Sequence, residues 1–487
     1  MRYIRWTILT LFFLSAACLL VWGPRPAASR PKDRVVVQYW EKWTGQEGAQ
    51  MQEIVSDFNA TVGREKGIYV EILSQSNVNQ KTLIATAAGV PPDVAGVWDG
   101  QVAQFAAVGA LEPLDDLARQ YGIGEGSYKK VYWDACKYQG KLYALISTPA
   151  SVGLHWNKRI FLEKADKLRA AGCDPLRAPR TLEELDRYAA ALTERDAKGR
   201  IVTLGYVPME PGWYISQTVF WFGGQLYDEK TDRFQLTSPE SVRALEWVQG
   251  YSRKLGKDAL TDFRSGLGNF ASTQNPFLTG QIAMVQQGPW MANFIELLNP
   301  GMNRWQRPAS APPDPAATPR TEHCEWAVAP FPSVYTENLT DPDALIDQAV
   351  TWCGFDVLTI PQGARHKKEA FEFIAYVNRM EVMEKLCSLH CKNTPLARHS
   401  ENWQKNHPNP YVDVFDRMAS SPHAYTVSPV PIWPEVGEEL GAMFQRVALL
   451  EQEPRAALEE AQTRLQAKLD QFRKRHESPA PSAEKNP

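Results

Sequence analysis

The chain has no long run of basic residues: 53 Lys and Arg stand against 56 Asp and Glu, leaving a net charge of −3 over 487 residues. That balance argues against nucleic acid as a partner and against adhesion to anionic lipid. Familiar catalytic signatures are missing too. The sequence holds no G-x-x-x-x-G-K-[ST], no H-E-x-x-H and no G-x-S-x-G, so no P-loop, zincin helix or nucleophile elbow is expected. Residues 122–126 begin as G-x-G but lack a following helix signature and read as a flexible loop. Glu183 and Glu184 fall at a helix start, where they favour the macrodipole rather than form a glycosidase pair. No catalytic residue and no cofactor are expected. Apart from Cys18, six cysteines remain, Cys136, Cys173, Cys324, Cys353, Cys387 and Cys391, and their spacing matches no disulfide scaffold. Cys387 and Cys391 flank His390, but no second ligand pair has zinc-site spacing, so no metal site is expected.

Tryptophan is what the chain has in excess, with 16. Several lie beside Gly, Pro or polar residues in apparent loops, where core packing explains them poorly. The length exceeds what one core serves, so two or three domains are expected. The 44% hydrophobic and 22% charged content is that of a soluble globular protein.

The N-terminus reads as a targeting segment and linker over residues 1–33. Arg2 and Arg5 precede an apolar run over 8–21, followed by a Pro-rich spacer. Cleavage near Ala27-Ala28-Ser29, lipidation at Cys18 within Ser15-Ala16-Ala17-Cys18, and retention of the run as a short anchor all remain open. Each places the rest of the chain outside the cytoplasmic membrane. The tail over 476–487 is Pro- and Ser-rich and is expected to be disordered.

Val35, Val36, Val37 and Tyr39 form a β-branched and aromatic run that reads as a buried strand. The loop Trp40-Glu41-Lys42-Trp43 follows, then a Thr44/Glu47 capping box and a helix with Met51, Ile54, Val55 and Phe58 on one face. Strands are predicted over 68–73 and 93–97, the latter running into Trp98-Asp99, with helices over 81–88 and 102–111. This β-α-β-α-β-α order implies a parallel sheet with right-handed crossovers. Ligands in such sheets sit at the carboxyl ends of strands. There, indole faces suit the C–H faces of a pyranose, and charged groups its hydroxyls. Gln139-Gly140 is a hairpin turn. An extended passage through Pro149 into 152–156 suits a crossing between domains. Further helices start at Thr181 and at Ser238-Pro239. Gly288-Pro289-Trp290 is a rigid turn that presents an indole, Trp213 lies in the most aromatic part of the chain, and Trp433 precedes two helices. Phe220, Trp221 and Phe222 form a continuous apolar run expected in the core. The last helix carries Leu458, Ala461, Leu465, Leu469 and Phe472 as one apolar stripe.

Six segments in this order resemble the extracellular solute-binding proteins of ABC sugar importers, the maltose-binding-protein-like group. They are Ala88-Gly89-Val90-Pro91-Pro92-Asp93, WDACKYQGKL at 133–142 with HWNK at 155–158, the helix start at 179–185, GQIAMVQQGPW at 280–290 and the terminal helix at 456–465. The family's counterpart of HWNK ends in Tyr-Asn-Lys. The resemblance covers roughly residues 34–475. It implies an α/β, two-lobed periplasmic-binding-protein fold, each lobe a mainly parallel sheet flanked by helices with a hinge between. One lobe is expected from 34–147 with 328–388, the other from 148–327 with 389–475. By position, the resemblance implies ligand contacts from Glu41, Lys42, Trp98, Asp99, Trp213, Trp290, Trp352 and Trp433, and Trp43, in the strand-end loop, and Ser151, at the crossing, are expected beside them. Some sugar binders of the family carry an acid just after the first crossing, where this chain has Ala150 and Ser151. The implied function is capture of a mono- or oligosaccharide and its delivery, by hinge closure, to an ABC permease with a separate ATPase. The chain is expected to be a non-enzymatic monomer outside the cytoplasmic membrane. A sugar-sensing receptor for a signalling kinase and an exported carbohydrate-active enzyme are the alternatives.

Overall fold

The computed structural model describes residues 30–213 and 217–476. Residues 1–29 of the targeting segment, with Cys18, Tyr214 and residues 477–487 of the tail lie outside them, while His476 closes the last helix. Among the described residues no helix is long and apolar enough to cross a membrane.

The β-branched run forms the strand Val35–Glu41, paired in parallel with Ile68–Ser74 on one side and with Val94–Trp98 on the other. The sheet continues through Phe355–Thr359 and Ala144–Pro149, both in antiparallel pairings. A second sheet orders Met284–Gln287, Gly153–Asn157 and Trp326–Ala329, all antiparallel. The two-lobed α/β plan therefore stands, but the sheets are more mixed than the mainly parallel ones expected. The reason lies in the crossings. A strand entering a sheet from the hinge runs against strands that approach it from the far end, as Phe355–Thr359 does.

Two large hydrophobic cores define the lobes. One gathers Val37 to Ile146 and resumes at Cys353; the other runs from Leu154 to Val350 and takes in most of the C-terminal helices. The return crossing thus falls at about residues 350–353, not at 328. Trp326–Ala329 is a strand of the second sheet, and Phe331 stacks on Trp221 with ring centroids 3.5 Å apart. Residues 389–424 are shared between the cores rather than given wholly to the second. Trp403 belongs to the first, its indole N–H reaching the Glu384 carbonyl at 3.1 Å and Ser388 Oγ at 3.0 Å.

The sequence signals act locally where they form. Ser238 Oγ accepts from the Ser241 N–H at 3.2 Å, with Pro239 opening the helix Pro239–Leu255. Thr181 Oγ1 accepts from the Glu184 N–H at 3.0 Å. At Gln139-Gly140 both residues have positive φ, 48° and 78°, the requirement of a two-residue hairpin turn of this kind. The Thr44/Glu47 box does not close: Thr44 makes no side-chain cap. Glu47 instead faces His390 and Lys392. All six cysteines are free and buried. No cluster of three metal-ligating side chains occurs among the described residues.

Candidate functional site

Between the lobes lies a cavity of about 660 Å³. Its wall carries six tryptophans, Trp43, Trp98, Trp213, Trp290, Trp352 and Trp433, together with Asp99. Seven of the ten residues expected at a ligand are thus brought to one space. They come from sites far apart in the chain: Trp43 just beyond the strand Val35–Glu41, Trp98 as the last residue of the strand Val94–Trp98, Trp290 after Gly-Pro, and Trp433 at the start of the helix Trp433–Ala448.

Backbone without side chain holds three of these rings. A Cβ on Gly354 would stand 2.2 Å from the Trp352 ring, one on Gly288 2.3 Å from Trp290, and one on Gly100 2.6 Å from Trp433. The last contact joins the lobes. Gly354→Ala is expected to push the Trp352 indole off its seat and weaken ligand binding about tenfold, equivalent to 1.4 kcal/mol, with little change in melting temperature. A titration showing wild-type affinity would contradict that seat's role.

The three remaining residues are not on the wall. Glu41 is fully buried and caps its own loop: its carboxylate accepts from the Tyr39 hydroxyl, from Lys42 N at 2.7 Å and from Trp43 N at 3.1 Å. A carboxylate so occupied at a strand end has nothing left for a ligand. Lys42 sits behind the indoles, its Nζ 3.0 Å from Asp356 Oδ1 and 3.4 Å from Glu41 Oε1. The same ammonium lies 4.8 Å from the Trp43 ring centroid and 5.2 Å from that of Trp98. Ser151 is buried at the first crossing, its hydroxyl donating to the Phe415 carbonyl at 2.6 Å.

Several wall residues were not legible in advance. Asp356, Lys392, Glu47, Gln217, Tyr425 and Thr426 supply polar groups, and Phe270 and Phe294 add rings near Trp213. Phe220, expected in the core, is only half-buried. It stacks on Tyr425 with centroids 3.8 Å apart and forms part of the wall. Trp221 is buried as expected. The available hints were the Trp-Cys-Gly-Phe-Asp run for Asp356 and the Cys391 neighbour for Lys392.

The acids on the wall differ in state. Burial raises the Asp99 carboxyl to about 7, against a Gly100 N–H at 2.8 Å and a Thr426 hydroxyl at 3.3 Å that favour its anion. Burial would raise Asp356 as well, but Lys42 and Lys392 outweigh it and hold that carboxyl at about 2. Lys392 Nζ lies 3.2 Å from Asp356 Oδ2. The cavity is therefore an aromatic box in which Asp356 is ionised between two ammoniums, Asp99 is poised to hold its proton, and Glu47 adds a third carboxyl.

Residues 53–399 match the family model of the bacterial extracellular solute-binding proteins, and the chain belongs to that family. It is 23% identical over 243 residues to a maltotriose-binding protein of Pyrococcus abyssi, 46% of each chain. Over 166 residues it is 28% identical to the alpha-glucosides-binding periplasmic protein AglE of Rhizobium meliloti, 34% of each. Over 265 residues it is 24% identical to the sn-glycerol-3-phosphate-binding periplasmic protein UgpB of Escherichia coli K12, 51% of this chain and 55% of that one. The matches span between a third and about half the length of these curated relatives. Among solved structures, CpMnBP1 with mannobiose bound superposes with a TM-score of 0.69 at 24% identity, covering 88% of this chain and 99% of the other. MalE of Xanthomonas citri gives 0.68 at 19%, covering 92% and 100%. At these identities the structures establish the fold.

Proposed function

We propose that the protein captures a carbohydrate outside the cytoplasmic membrane and delivers it to an ABC permease by closing its lobes. The observation that carries this is the convergence of six tryptophans on one interlobe cavity, above a charged floor. Indoles present flat faces to sugar rings, and floor groups favour hydroxyls because a partnerless donor there costs stability. Sugar that bridges both walls binds the closed form better than the open one, so closure follows from binding free energy. Two of the relatives are named for maltotriose and alpha-glucosides, which point the same way, and the third for sn-glycerol-3-phosphate, which is no sugar. Capture without bond making is the reading that the family and its relatives, binding proteins by name, support.

Isothermal titration against a panel of mono- and oligosaccharides tests the reading. Heat with at least one sugar is expected, together with a loss of about 2 kcal/mol or more in Trp290→Ala, the scale of a buried aromatic anchor. Silence across the panel, or undiminished binding by the variant, would count against it. Thin-layer chromatography of the incubated glycans separates this reading from the enzymatic alternative, which requires product.

A further inference from the structure

The tryptophan cavity does not end at Trp433. A second cavity of about 290 Å³ adjoins it, and the two share Gly212 and Gly441. Trp433, Gly437, Gly441 and Gln445 follow one another at four-residue intervals on the helix Trp433–Ala448, so each stands one turn beyond the last in a slowly winding row. The first three belong to the wall of the first cavity, and Gly441 and Gln445 to that of the second. From Trp433 to Gln445 this row runs about 18 Å, at 1.5 Å per residue.

Glycine inside a helix costs stability relative to alanine. Here packing does not require it, since a Cβ on Gly437 or on Gly441 would meet nothing within 4 Å. The bare face opens on empty space. Two polar groups beside that space also lack partners. Gln217, 8% exposed, lines the first cavity and Ser252, 1% exposed, lines the second, and neither the Gln217 amide oxygen nor the Ser252 hydroxyl has a partner. Buried polar groups left without partners are rare and call for an explanation. A polyhydroxy chain lying on the glycine face would supply partners to both and would fill the space that side chains leave.

We infer that the ligand is an oligosaccharide longer than a disaccharide, lying along the glycine face from the tryptophan cavity into the second one. This rests on the carbohydrate reading above and adds the ligand's length and path. Trp433 stacks one ring, Gly437 and Gly441 let following rings approach the helix backbone, and Ser252 and Gln445 meet the far end.

The test is titration of the full chain with malto- and manno-oligosaccharides of one to four rings. In the series that binds, trisaccharide is expected to exceed disaccharide at least tenfold. Gly441→Leu should bring that ratio close to one. Its melting temperature should equal or exceed that of the wild type, because leucine is the better helix former. Ser252→Ala should lower the ratio severalfold without lowering the melting temperature. A structural role alone would leave the ratio unmoved. A wild-type ratio near one, or an unchanged ratio in both variants, overturns the inference while leaving sugar capture intact. No binding of any sugar overturns capture and the inference with it.

Discussion

Replacing Asp356 with alanine is expected to destabilise the folded protein by about 3–5 kcal/mol, the scale for removing one partner from a buried ion pair. The carboxylate is 4% exposed and stands between Lys42 and Lys392, whose side chains are each 6% exposed. One oxygen is 3.0 Å from Lys42 Nζ. The other is 3.2 Å from Lys392 Nζ and accepts from the Thr148 hydroxyl at 3.0 Å. Without the acid, Lys42 keeps Glu41 at 3.4 Å, but Lys392 keeps only the neutral Thr148 hydroxyl at 3.1 Å and Glu47 at 3.9 Å. Its charge then stays desolvated with little to offset it. Adding Lys392→Met to the alanine variant should therefore recover part of the loss, because it removes the stranded ammonium rather than a working pair. Urea denaturation midpoints of the two variants and the wild type measure this. Coincident midpoints for wild type and Asp356→Ala would show that the cluster holds nothing together.

The same cluster shows why part of the site was readable and part was not. Trp290 announces itself because Gly-Pro before it cannot continue a helix or strand. Trp98 does so because it ends an apolar run beside an acid. Asp356 and Lys392 carry no such local mark. Lys42 and Asp356 are 314 positions apart, and nothing in either segment says that they meet. Glu41 misled because an acid at a strand end looks available until the Tyr39 hydroxyl and two backbone donors are seen to occupy it. Strand existence was legible from β-branched runs, but strand direction was not. Direction depends on which lobe the chain has just left, and that is a property of the crossings. The return crossing near 350–353 was misplaced for a related reason: a strand such as Trp326–Ala329 reads the same in either sheet.

His155 should make the protein acid-labile. It is fully buried on the central strand of the second sheet. Its ring is stacked 5.7 Å from that of Trp326, and Phe415 and Phe277 are also near. Neither ring nitrogen has a hydrogen-bond partner of good geometry. Burial lowers the imidazole from 6.5 to about 3. The unfolded chain therefore takes up this proton near pH 6.5 and the folded chain only near pH 3. The stability His155 contributes is complete above pH 6.5 and drains away as pH falls towards 3, by at most about 5 kcal/mol at 1.36 kcal/mol per unit. His407, lowered by burial to about 4, and His390, lowered well below its ordinary value, push in the same direction. Asp99, with its raised carboxyl, pushes the other way between pH 4 and 7. A pH profile of the wild type alone would mix these. His155→Phe isolates the one, since the other groups titrate in both proteins and cancel in the difference. Phenylalanine keeps the aromatic packing and removes the site of protonation. The variant should be modestly more stable at pH 7, and its advantage should widen steadily from pH 6.5 to pH 4 in guanidinium denaturation. A constant gap would mean that the ring is already charged or already hydrated in the folded protein. Because Gly153–Asn157 continues directly from the first crossing, a proton on His155 loosens the sheet behind Trp290. Ligand affinity should then fall with pH in the wild type before global unfolding sets in, and do so less in His155→Phe.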